Sequence, residues 1–263
     1  SSKLYTYRLK FKLRQIMKYF IGNWKMFGVP NSVSIINKIN SYYSKDKNKN
    51  KYKVIITPPY TLIESYSKYF KNKRVSIGAQ NCYHKERFSS NTAAISPFML
   101  KSVGARSTLV GHSDNRSEGD TDTMLKEKVK YALKNNLKVV FCIGENKVEK
   151  KNKKTLGVLK KQLTKVLEKQ FKKNNIIVAY EPIWSIGTGK IPTVSELKAT
   201  TIYIKKVLKN IFKKNSPAVL YGGSVDGNNV EMFKEIKEID GFLIGGASKT
   251  SKKFIDIIKN YYR

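Results

Sequence analysis

Few side chains in this sequence have the type and spacing that chemistry needs. A carboxylate, Glu181, closes the apolar run at 176–180, and Pro182 behind it cannot continue a sheet. Trp184, Ile186 and a Gly187-Thr-Gly189 tip come next. Apolar side chains on a loop tip are costly to leave in water; they make sense on a lid that packs over a ligand. The stretch supplies a base at a strand end and a hinged cover after it. His112 stands just past the apolar Leu109-Val110. Alone, such a histidine reads as a packed structural residue; beside Glu181 it reads as half of an acid–base pair. Lys25, between Trp24 and Met26, reads as a fixed inward cation. The turns Gly222-Gly-Ser224 and Gly245-Gly-Ala-Ser248 let a backbone approach an anion and aim N–H groups at it, with the start of a helix behind each adding partial positive charge. One Gly-Gly is an ordinary tight turn; two after consecutive strands read as a phosphate cradle. His84, among polar neighbours, reads as surface.

These groups must be brought to one place. Strands are expected at 19–22, 54–57, 75–79, 108–110, 139–143, 176–180, 218–221 and 242–244. Helical spacing falls between them, at 32–43, 61–70, 97–103, 125–133, 156–171, 197–211, 229–236 and 252–260. The Lys/Asn-rich pieces 45–51 and 147–154 read as solvated loops. The strands are continuous apolar runs, as expected when both faces are covered. Alternating strands and helices imply a parallel sheet with right-handed crossovers. Eight units predict an α/β fold, a closed (β/α)8 barrel in one domain over 17–263. In such a barrel the active site lies at the C-terminal ends of the strands, where Asn23, Lys25, His112, Cys142, Glu145, Glu181 and both glycine turns fall.

Composition sets outer limits. Of the 263 residues 40% are hydrophobic, enough for a sizeable core. No run approaches the ~18 apolar residues of a membrane helix. The two cysteines, Cys82 and Cys142, have no metal-ligand company and imply reduced thiols. The net charge of +33 invites a nucleic-acid reading. Yet the lysines are spread over helices and loops alike, they accompany abundant Asn, Ile and Tyr, and arginine is scarce beside them. The surface is read as compositionally biased, without a nucleic-acid partner, and steering an anionic substrate inward. Residues 1–16 carry Lys3, Arg8, Lys10, Lys12 and Arg14 and no acid. They read as the remnant of a transit peptide, placing the chain in a plastid-like organelle (an apicoplast); the competing reading is a basic tail on a cytoplasmic protein.

Eight blocks, in order, resemble the triosephosphate isomerases: Gly22-Asn-Trp-Lys-Met26, Gly78-Ala-Gln-Asn-Cys-Tyr83, Val110-Gly-His-Ser113, Cys142-Ile-Gly-Glu145, Ala179-Tyr-Glu-Pro-Ile-Trp184, Ile186-Gly-Thr-Gly189, Tyr221-Gly-Gly-Ser-Val225 and Gly241-Phe-Leu-Ile-Gly-Gly-Ala-Ser248. The resemblance implies a TIM barrel that interconverts dihydroxyacetone phosphate and D-glyceraldehyde 3-phosphate, in glycolysis and gluconeogenesis, through an enediolate. It implies Glu181 as base, neutral His112 as electrophile and proton shuttle, and Lys25 as the cation facing enediolate and phosphate. Asn23 would help hold the substrate, and the backbone N–H groups of Gly187, Ser224, Gly245 and Gly246 its phosphate, with Asp114, Cys142 and Tyr221 in support. Closure of 182–189 would exclude water. Neither metal nor organic cofactor is implied. The implied partners are triose phosphates and a second copy, in a homodimer with Thr92 near the other copy's site; no membrane is implied.

The sequence also departs from that pattern. Asp114 replaces the usual glutamate after His112-Ser113, one methylene shorter, so its contact to Lys25 or to the substrate is expected to lengthen. Ala94 and Asn115 stand where the family pairs a glutamate and an arginine across the dimer; losing both avoids a stranded charge and weakens the expected interface. The turn at 117–120 is one residue shorter than usual. Two other readings compete: a barrel that binds polyanions through its basic surface, and a weakly active monomer.

Overall fold

The computed structural model describes residues 17–263. The basic segment 1–16, on which the targeting expectation rests, lies outside the described residues. The elements run β1 (Lys18–Asn23), α1 (Val33–Lys45), β2 (Tyr52–Thr57), α2 (Tyr60–Tyr69), β3 (Ser76–Ile77), α3 (Pro97–Ser102), β4 (Ser107–Val110), α4 (Ser113–Ser117), α5 (Asp122–Lys134), β5 (Lys138–Ile143), α6 (Lys147–Lys151), α7 (Thr155–Val166), β6 (Ile176–Tyr180), α8 (Val194–Phe212), β7 (Ala218–Tyr221), β8 (Gly241–Ile244) and α9 (Ser251–Tyr261). All strand pairs are parallel, in the order β3-β2-β1-β8-β7-β6-β5-β4. The ends of that sheet meet at Ala79 and Thr108: the Ala79 N–H donates to the Ser107 carbonyl at 2.8 Å, and the Leu109 N–H to the Ala79 carbonyl at 2.9 Å. The sheet is thus a closed barrel, as expected.

Two apolar cores arise from the pleat. Alternate side chains point inward and outward. Ile21, Ile55, Leu109, Val140, Cys142, Ile177, Ala179, Leu220 and Leu243 fill the barrel. Their strand neighbours, such as Phe20, Phe141, Val178 and Tyr221, pack outward against helices.

Several local expectations are corrected. Strand three shrinks to Ser76–Ile77, with Ala79 contributing only a bridge. The expected loop at 147–154 contains α6. A capping box starts it: the Asn146 side chain accepts the Glu149 N–H at 2.9 Å and the Glu149 carboxylate accepts the Asn146 N–H at 2.8 Å. Helix α7 stops at Val166, because Leu167 turns extended into the core; Phe171 lies beyond the helix, partly buried against that core. No α-helix begins at either glycine turn; short 3-10 turns, Val230–Glu235 and Gly246–Lys249, stand there instead. His84, read as surface, is half-buried, its ring against that of Tyr83 with centroids 4.2 Å apart.

Candidate active site

The inward alternation continues past the strand ends. In β6, Ile177 and Ala179 face the barrel interior, and Glu181 is next in that phase. In β1, Ile21 is succeeded in the same phase by Asn23, and Lys25 follows just beyond the strand end at φ 53°. In β4 the phase breaks: Leu109 faces in, and Gly111, at φ 77°, turns the backbone so that His112 comes back over the barrel. These side chains and both glycine turns line one cavity of about 810 Å³.

Asn23, His112 and Glu181 are buried, and the Lys25 side chain is 35% exposed. Glu181 Oε2 stands 3.3 Å from His112 Nε2. Yet His112 Nε2 and Glu181 Oε1, both buried, have no hydrogen-bond partner. Buried polar groups without partners are costly, and here two of them face one cavity. His112 Nδ1 accepts the Asp114 backbone N–H at 3.1 Å, so the ring proton belongs on Nε2. Burial, the largest influence, disfavours a charged ring; the Glu181 carboxylate pulls the other way and lifts the His112 pKa above its ordinary value. Asp114 still reaches Lys25, at 3.4 Å, despite its shorter side chain. Cys142 lies inside the barrel, and burial, with Glu181 nearby, pushes its thiol pKa well above the ordinary range.

Lys25 sits at φ 53°, a conformation few non-glycine residues adopt. It is held from both sides. Its N–H donates to the Asn23 side chain at 3.0 Å, and its carbonyl accepts from the Gln80 side chain at 2.8 Å. Gln80 and Arg116 are functional supports to which sequence reasoning gives no role. Arg116 donates to the Gly111 carbonyl at 2.7 Å and the Cys142 carbonyl at 2.8 Å, tying the ends of β4 and β5 together. The signal for both was their place, Gln80 inside the Gly78–Tyr83 block and Arg116 just after His112; their partners are main-chain atoms, most of them far away in sequence. Glu145, grouped with the strand-end residues, anchors the segment on either side of Glu181: fully buried, it accepts from Trp184 Nε1 at 2.9 Å and from the Tyr180 hydroxyl at 3.1 Å.

Side chains built at Gly245 or Gly246 would meet nothing within 4 Å, so their backbone is open to the cavity. Gly187 is equally open, at φ 67°. At Gly222 a Cβ would come 2.5 Å from Glu181 Cγ. Ser224 differs from expectation: its N–H points to the Ser185 hydroxyl at 3.3 Å, and its own hydroxyl accepts the Gly189 N–H at 3.2 Å. Tyr221 also contacts Ser185, with the hydroxyls 3.1 Å apart. Thr92 is exposed on a separate loop and does not line the cavity. The structure therefore gathers Asn23, Lys25, His112, Glu181, Gly187, Ser224, Gly245 and Gly246 at one cavity; Asp114, Cys142 and Tyr221 lie behind or beside it, and Thr92 apart.

Residues 18–261 match the model of the family described as triosephosphate isomerase. The chain belongs to that family. Triosephosphate isomerase of Debaryomyces hansenii is 38% identical over 248 residues, covering 92% of this chain and 98% of the relative. That of Saccharomyces cerevisiae is 36% identical over 248 residues with the same coverage. The crystal structure of triosephosphate isomerase from Bartonella henselae superposes with a TM-score of 0.85 at 30% identity, covering 94% of this chain and 99% of that one. As a triosephosphate isomerase family member the chain is an isomerase, and the family implies triose phosphates as substrates.

Proposed function

We propose that the chain interconverts dihydroxyacetone phosphate and D-glyceraldehyde 3-phosphate through an enediolate, with Glu181 and His112 moving the protons. The observation that carries this reading is the pair of unpartnered buried atoms, His112 Nε2 and Glu181 Oε1, beside the open Gly245-Gly246 backbone in one cavity. Glu181 takes the proton from the carbon next to the carbonyl. His112, with its proton on Nε2, donates to the carbonyl oxygen. The carboxylate that lifts the His112 pKa loses its charge as it takes that proton, and burial then keeps the ring neutral. Lys25 balances the oxyanion and the phosphate, and backbone N–H groups of Gly187, Gly245 and Gly246 receive the phosphate. The lid excludes water.

The chain works as a homodimer in this reading. A second cleft, of about 360 Å³, backs onto Asn23, Lys25 and His112, with Met26, Gln80 and Asn115 among its other lining residues. The Thr92 loop of the second copy enters it. Support comes from the large apolar side chains left in water, Met26 at 99% and Phe88 at 75% exposure. Targeting to a plastid-like organelle by residues 1–16 remains a proposal, tested by imaging the tagged chain.

The test is isomerase activity on D-glyceraldehyde 3-phosphate across a protein dilution series. Constant high specific activity supports the site and a firm dimer. Activity that falls on dilution supports the site with an interface weakened by Ala94 and Asn115. No activity at any concentration overturns the reading and brings polyanion binding forward.

A further inference from the structure

Ser185 lies in the lid, is fully buried, and no part of the reaction above uses it. Its hydroxyl donates to the Lys190 carbonyl across the lid. The same oxygen lies 3.1 Å from the Tyr221 hydroxyl and accepts the Ser224 N–H at 3.3 Å. Its carbonyl accepts from the Ser224 hydroxyl at 2.6 Å and from Thr188 Oγ1 at 3.2 Å. A Cβ on Gly223 would come 2.6 Å from the Ser185 oxygen, so the glycine turn is pressed against it.

These bonds form two sets. One closes the lid on itself: Ser185 to Lys190, and Thr188 Oγ1 to the Trp184 carbonyl at 3.1 Å. The other fastens the lid to the barrel through Tyr221 and Ser224. The Ser185 hydroxyl takes part in both. Beyond Lys190 the chain reaches Pro192, which has no N–H to offer as a fastening.

We infer that Ser185 is a positioning residue for the isomerisation: its hydroxyl sets the lid's internal shape and its docking on Tyr221 and Ser224 as one event. The inference rests on the isomerase reading above. Alanine would fill nearly the same space and leave the Lys190 carbonyl and the Tyr221 hydroxyl without this partner. A lid that docks loosely exposes the enediolate to elimination. The enediolate oxygen becomes a carbonyl, the carbon–carbon double bond shifts, and phosphate leaves with the C–O electron pair, giving the enol of methylglyoxal.

Activity of the unaltered chain on D-glyceraldehyde 3-phosphate is measured first; its absence sinks the isomerase reading and this inference with it, whereas an active chain with an unaffected Ser185→Ala variant sinks this inference alone. Ser185→Ala is expected to lower kcat about 10- to 100-fold, as loss of one or two hydrogen bonds would, with a smaller change in KM. Inorganic phosphate released per isomerisation rises. With Tyr221→Phe the losses are not multiplicative, because both changes break one network. A readout free of activity is trypsin cleavage after Lys190, whose carbonyl Ser185 holds; release of the 191–263 fragment is tracked by mass. Cleavage is expected about tenfold faster in Ser185→Ala, by the same hydrogen-bond estimate. Should that variant fail to fold, Ser185→Cys, with its weak hydrogen-bonding thiol, is read in the same ways. Unchanged kcat per folded molecule, unchanged phosphate release and unchanged cleavage at Lys190 overturn the inference; so do losses that multiply with those of Tyr221→Phe.

Discussion

Lys25 and Lys213 share nearly one positive φ, 53° and 55°, at opposite ends of the barrel. Lys213 closes α8 as a left-handed cap, its N–H donating to the Lys209 carbonyl at 2.8 Å. Glycine would do this as well or better. Lys25 is held by Asn23 and Gln80 so that its ammonium sits at the cavity with His112 and Glu181. The same strain is incidental at one end and aimed at the other.

The surroundings differ in the same sense. At the strand starts, cations are consumed by carbonyls and carboxylates. Lys18 donates to the Ile239 carbonyl, Lys138 to that of Asn174 at 3.0 Å and Lys173 to that of Asn215 at 3.0 Å, while Lys205 pairs with Asp240 at 2.8 Å. Helix C-termini gather at that end, and cations suit their negative partial charge. At the strand ends, by contrast, His112 Nε2 and Glu181 Oε1 are buried and unpartnered. At the strand starts the cations are tied to such partners, although Ser107 Oγ and Glu238 Oε2 are left without one there; at the strand ends an acid and an imidazole are left facing one cavity.

That contrast can be broken by mutation. Glu181→Gln should cut kcat by about 10³-fold or more, the scale of a lost general base, with an unchanged Tm; near-normal turnover would falsify the assignment of the base. Gly222→Ala drives a Cβ to 2.5 Å from Glu181 Cγ. Displacing the base by even about 1 Å should cost about 10²-fold in kcat with KM far less affected.

At the other end the effects should fall on stability. Asp240→Ala strips Lys205 of its partner and the Val219 N–H of an acceptor at 2.9 Å. A loss of about 3 kcal/mol in denaturant unfolding is expected, with kcat of the folded enzyme retained. A kcat loss as large as that of Gly222→Ala would erase the distinction between the ends.

Alkaline pH should act on stability. Burial pushes the Cys82 thiol up to about 12 and the Tyr221 phenol to about 12. Folded values above the unfolded ones mean stability is full below pH of about 8.5 and declines as pH rises toward 12, because the unfolded chain ionises first. Urea midpoints measured from pH 7 to 11 should therefore fall; a flat profile would contradict the burial. The smallest effect sharpens the opening pair. Lys213→Gly should gain about 0.5–1 kcal/mol at unchanged activity, whereas Lys25→Gly relaxes the same strain and loses the catalytic cation.

The sequence by itself determined much of this protein. Strand six at 176–180 and strand seven at 218–221 lie where their apolar runs end, because Glu181 and Gly222 interrupt them. Eight such runs with helices between admit a closed parallel barrel, and its strand ends name the candidate residues. Only the tertiary structure decided which face of each run fills the barrel, since a strand covered on both sides carries no polar face to read. Thus Ile177 and Val178 look alike in sequence and occupy different cores. Helix α6 hid in a lysine-rich stretch because its cap, Asn146 with Glu149, is two polar residues among many. Gln80, Arg116 and Ser185 act on main-chain atoms or hydroxyls up to 55 residues away. Such contacts leave no periodicity in the chain, and only folding brings the partners within hydrogen-bond reach.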